Sequence, residues 1–140
     1  MGGSASLERK FRAAESASCE QWILRVTDEA TLAPKGARDE RPEVFFSGAL
    51  HGDERVGPLA TLATMKLVAR ASACYADKHT AENCPHLTPG ERASFGQGTL
   101  AAKRLAWLSH LSRTRIVYAL PATNPWGFAN RKRTEVRVDT

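Results

Sequence analysis

The chain has little of what marks several protein classes. Three cysteines, Cys19, Cys74 and Cys84, among 140 residues are too few for a disulfide scaffold and cannot all pair with one another. No stretch comes near the ~18 consecutive apolar residues of a spanning helix, so no transmembrane segment is expected. The opening MGGSASLERKFRAAE lacks the apolar middle of a secretory leader, and the expected setting is reducing and cytoplasmic. No internal repeat is visible. Lys and Arg exceed Asp and Glu by only 20 to 15, a net +5 that suits anionic ligands and an ordinary soluble surface equally well.

What is there is the composition of an ordinary globular protein, 42% apolar and 25% charged, which excludes a collagen-like or wholly disordered chain. The length fits one domain. Residues 7–16 fit an amphipathic helix, and 21–27 (QWILRVT) a strand. Residues 28–42, charged and carrying Pro34, Gly36 and Pro42, read as a loop. Residues 42–50 (PEVFFSGAL) form an apolar run without strict alternation, the pattern of a strand buried on both faces in a parallel sheet. Leu59, Leu62, Met65, Leu67 and Ala69 recur near helical spacing over 56–72, with Pro58 in the first turn and Asp53 and Glu54 at the entrance. Residues 73–98 lack periodicity and read as a long irregular stretch.

In residues 99–112, Leu100, Trp107, Leu108 and Leu111 make one apolar stripe of a helix, with Lys103 and Arg104 off it. Residues 115–120 (RIVYAL) are a second strand of the buried type, ending in a turn at NPWGF. The order strand, helix, helix, strand is a crossover unit and predicts an α/β fold, a mixed or parallel central sheet with flanking helices. His51 and the Asn124 region then fall at the carboxyl ends of the strands, where such sheets form ligand crevices.

His51-Gly52-Asp53-Glu54 follows the first of these strands. Gly52 lets the backbone turn sharply, and Glu54, three residues on, can swing back beside the imidazole. One imidazole nitrogen and one carboxylate oxygen are two of the three protein ligands of a catalytic zinc. The same residues also suit a plain surface turn with acids at a helix entrance.

Residues 51–58 (HGDERVGP) resemble the first metal-ligand motif of the zinc metallocarboxypeptidases, in which this His and this Glu bind zinc. Residues 121–133 (PATNPWGFANRKR) resemble the family segment where a strand ends at Asn-Pro-Asp-Gly-Phe/Tyr ahead of a basic stretch; Trp126 stands where Asp is usual. Val138-Asp139-Thr140 is similar to the Val-Asp-x that precedes an Asn-Arg pair gripping the substrate carboxylate. The three matches fall in order over residues 44–140.

The resemblance implies the amino-terminal portion of a carboxypeptidase-like fold. Residues 1–40 would be an extension with the first strand, and 41–140 a partial catalytic domain. It implies one Zn2+ on His51 and Glu54, and peptide C-termini as substrate. It also implies an arginine that steadies charge on the scissile carbonyl: Arg131 is the first choice because it opens the basic run, with Arg133 close behind as the alternate. The family's third zinc ligand, Asn-Arg pair, specificity Tyr and general-base Glu would all lie beyond Thr140, and His79, His86 and His110 stand in no matching context. The chain is therefore expected to be a piece of such a domain, to bind zinc weakly and to be inactive alone.

Two rival readings use the same residues. Zinc-dependent deacylases of N-acyl amino acids, similar to aspartoacylase and succinylglutamate desuccinylase, share the His-Gly-x-Glu start; residues 124–128 (NPWGF) favour the peptidase branch. A catalytically inactive interaction protein is the other. Arg131 to Arg133 lack interleaved aromatics, so nucleic acid is not an expected partner. Oligomeric state stays open. Cys74, His79, Cys84 and His86 suggest either a structural zinc loop, without the usual close cysteine pair, or a flexible loop or a Cys74–Cys84 bond in an oxidising setting. Met1-Gly2 through Ser6 fits a myristoylation pattern at Gly2, a single chain that anchors only marginally.

Overall fold

The computed structural model describes residues 5–12, 20–34, 36–37 and 40–134. Four strands and four helices follow in the order β1 (Ala5–Arg12), β2 (Glu20–Val26), β3 (Glu43–Ser47), α1 (Val56–Ala76), α2 (Pro89–Phe95), α3 (Gly98–Thr114), β4 (Ile116–Leu120) and α4 (Pro125–Asn130), with a 3-10 turn at Glu29–Thr31. The expected mixed α/β architecture is present. The sheet order is β1-β2-β4-β3. β3 and β4 are parallel, with Val44 opposite Val117, and are joined by the helical crossover. β2 runs antiparallel to β4, and β1 antiparallel to β2. The helix expected over 7–16 is corrected where it is described: residues 5–12 form β1, because cross-strand pairing with β2 overrides a local helical pattern.

α1 and α3 pack on each other and over the middle of the sheet. Val26 of β2, Val117 and Ala119 of β4, and Met65 and Val68 of α1 form one apolar cluster. Thr27 closes its end: the buried hydroxyl donates toward the Ser112 and Arg115 carbonyls at 3.2 and 3.0 Å, tying the end of β2 to the end of α3. β4 is buried as its sequence suggests. β3 is not buried on both faces. Phe45 and Phe46 are 60% and 44% exposed: β3 is an edge strand, and the buried sheet side chains of the apolar cluster come from β2 and β4.

The stretch 73–98 is also more ordered than its lack of periodicity implied. α1 runs through Ala76, and α2 starts from a capping box in which Thr88 and Glu91 satisfy each other's backbone N–H groups. Glu91 also accepts a 2.9 Å ion pair from Arg70 of α1. A second cluster, Ala71, Cys74, Ala81, Cys84, Leu87, Phe95, Ala101 and Leu105, fixes the connection onto α1 and α3. Cys74 and Cys84 are joined by a disulfide. Their thiolates are therefore consumed, and the structural zinc loop is corrected to the disulfide alternative.

On α3 the buried face is Ala101, Leu105, Ser109 and Ser112. Leu100 and Trp107, expected on the buried stripe, are 50% and 61% exposed. Small residues let α3 approach α1 closely, which a count of large apolar residues misses.

Candidate metal site at the strand ends

Beyond Ser47 and Leu120 the two parallel strands stay zipped. Gly48 N donates to the Leu120 carbonyl at 3.0 Å, Thr123 N to Gly48 O at 2.9 Å, and Asn124 N to Ala49 O at 3.1 Å. A side chain at Gly48 would run into the carbonyls of Pro121 and Gly57, so only glycine lets the start of α1 come this close. The chain then reverses, and a turn closes with Glu54 N donating to His51 O at 3.1 Å. This turn is why a His-x-x-Glu spacing works here: it puts both side chains on the same side of the bend.

His51 Nδ1 and Glu54 Oε1 lie 2.9 Å apart, with both side chains open to solvent, 38% and 53% exposed. The contact and the charges of the His51 ring and Arg133 hold the Glu54 carboxyl below its ordinary range, the hydrogen bond from His51 contributing most and slight desolvation opposing it. Two donors on one tetrahedral zinc, each at ~2.0–2.2 Å, sit about 3.4 Å apart. The observed pair therefore has to open by only about half an ångström to share an ion. In the neutral ring the Nδ1–H donates to Glu54, so ligation through Nδ1 requires that proton to leave or move to Nε2.

The basic run is brought back over this turn. NPWGF is not merely a turn: it opens α4, with Asn124 as N-cap and Pro125 in the first turn, where a missing N–H costs nothing. The buried Asn124 accepts from Gly127 N at 2.7 Å and donates to the Arg133 carbonyl at 3.3 Å. Gly52 N donates to that same carbonyl at 3.2 Å. A methyl group at Gly52 would overlap the backbone of Gly127 and Lys132, so the turn at residues 51–54 and α4 meet through glycine backbones.

With its carbonyl gripped from both sides, Arg133 places its guanidinium 4.0 Å from Glu54 Oε1 and 3.9 Å from Asp53 Oδ1. Of the two arginines that spacing left open, Arg133 is the one beside the acids. Arg131 is the exposed left-handed C-cap of α4, with φ 54°. Arg55 stacks 4.1 Å over the Phe128 ring and buttresses the α4 side of the turn.

The structure thus pairs His51 with Glu54 and sets Arg133 beside Glu54 and Asp53. His110 is exposed on α3, and His79 and His86 follow the far end of α1. Among the described residues, no group of three or more His, Cys, Asp or Glu is gathered as a metal site. Val138-Asp139-Thr140, Arg137, Cys19 and the Gly2 pattern lie outside the described residues. Sequence reading missed Asn124 as a positioning group. Its signal was the Asn-Pro pair, which suits an N-cap followed by the first helical residue as well as it suits a turn. No protein-family model matches the chain, and no curated protein matches it.

Proposed function

We propose that this chain carries the first half of a zinc site of a metallocarboxypeptidase-like hydrolase acting on peptide C-termini. The observation that carries the reading is the 2.9 Å approach of His51 Nδ1 to Glu54 Oε1, open to solvent at the carboxyl end of a parallel strand pair, with Arg133 alongside. When bound, zinc supplies polarisation of the scissile carbonyl and acidification of a water. His51 and Glu54 would hold the ion. Glu54, kept ionised by its neighbours, is ready as a ligand across the neutral range. Arg133, fixed through its own carbonyl, would face the negative charge that develops on the carbonyl oxygen. Asp53 shares that guanidinium and limits its reach.

Among the described residues no third His, Cys, Asp or Glu completes a metal site with His51 and Glu54, and we propose that this pair by itself binds zinc weakly and does not hydrolyse peptides. Dialysis against zinc followed by metal analysis tests the reading. Wild type retains more zinc than His51→Ala, while equal retention removes the hydrolase assignment. On a form of the protein with a complete site, release of the last residue of a blocked dipeptide, rather than cleavage of an N-acyl amino acid, separates this reading from the deacylase one.

A further inference from the structure

A concavity lies at the end of α1 away from His51 and Glu54, a helix whose 21 residues span roughly 30 Å, and it does not depend on the zinc reading. Its volume is about 580 Å³, within the usual range for small-molecule sites. The ends of α1 and α3 and the turn after β2 line it, contributing Asp28, Tyr75, Lys78, His79 and Arg113.

Two helix carboxyl ends would ordinarily repel an anion. Here most of their last carbonyls are already occupied. Leu111 O accepts from Arg115 N, Ser112 O from Asp28 N, and Arg113 O from the Thr31 hydroxyl. On α1, Cys74 O accepts from His79 N and Tyr75 O from Lys78 N. Asp28, the acid of the lining, accepts from Ala30 N at 3.1 Å. Lys78 and Arg113 are in no ion pair among the described residues. Arg41, outside the lining, donates to Thr31 Oγ1 at 3.1 Å and to the Arg113 carbonyl at 3.4 Å.

We propose that this cavity binds a small phosphate monoester. A dianion with three acceptor oxygens uses a guanidinium, an ammonium and the His79 ring together, whereas one carboxylate is met by a single arginine. The space far exceeds the ~30 Å³ that a water occupies, and the half-exposed Tyr75 ring offers a face to the organic part.

Titration of the full chain with phenyl phosphate, followed by amide chemical shifts and calorimetry, tests this, with inorganic phosphate and benzoate as comparison ligands. The expected result is saturable binding that shifts the Lys78, His79 and Arg113 amides. Both comparison ligands bind more weakly. The Lys78→Gln/Arg113→Gln double variant loses roughly tenfold or more in affinity, as removal of two charge-assisted contacts implies. His51→Ala binds as wild type does. Both variants sit at exposed positions, and the amide spectrum reports whether each still folds. Absence of saturation, an unaltered affinity in the double variant, shifts centred on His51 and Glu54, or equally tight inorganic phosphate or benzoate would each overturn the proposal.

Discussion

Glu54 is the residue on which the site turns, and its protonation gives a direct readout of the pairing. Its carboxyl is held below the ordinary glutamate range, foremost by the hydrogen bond from His51. A lowered folded-state value means that the pairing contributes fully above the unfolded-state value and is lost as pH falls through the folded one. A carbon-detected titration of the Glu54 carboxyl is expected to show a midpoint below that of the unfolded chain in wild type, moving up in His51→Ala. A wild-type midpoint equal to that of the unfolded chain would show that the contact does not form in solution. The His-x-x-Glu pair was legible in the sequence because a turn of that length has few ways to place its ends. The choice of Arg133 over Arg131 was not, because it depends on where α4 stops. Arg131 takes the left-handed C-cap, and Arg133 follows on the side facing Gly52.

At the scale of elements, α4 is the part that joins the two ends of the site. It has six residues, too few to persist without its cap and its contact with the turn at residues 51–54. Asn124 is 5% exposed and bonds both the helix start and the Arg133 carbonyl. Asn124→Ala is expected to lower stability by about 1–2 kcal/mol in urea denaturation, in line with loss of a good N-cap, and to separate Arg133 from Glu54. Unchanged stability would remove Asn124 from the account. The capping box of α2 shows the converse case. Thr88 and Glu91 spell out a helix start, yet no periodic apolar run follows to draw attention to it. α2 instead earns its stability from Phe95 in the second cluster and from the Arg70–Glu91 pair, both tertiary. The face of α3 was misread for a related reason. Ala101, Ser109 and Ser112 pack because they are small, and Trp107 is left outside.

For the molecule as a whole, the crossover from β3 to β4 was readable because two apolar strands flanking helices have few other arrangements. Whether a strand's faces are covered depends on its neighbours, and β3 shows that an apolar run does not specify them. The second cluster is held by the Cys74–Cys84 bond, which closes a segment of sequence separation 10. Removing it with Cys74→Ala and Cys84→Ala together is expected to lower stability by about 2–3 kcal/mol, and reductant should lower wild type but not the variant. A loss under a few tenths would show that packing alone fixes the connection.

The central claim is that His51 and Glu54 act jointly on one ion, and a double-mutant cycle on zinc affinity measures that most directly. Calorimetric titration of wild type, His51→Ala, Glu54→Gln and the double variant should show that either single change removes most of the binding and that the second adds little. Independent, additive losses, or affinity indifferent to both residues, would contradict it.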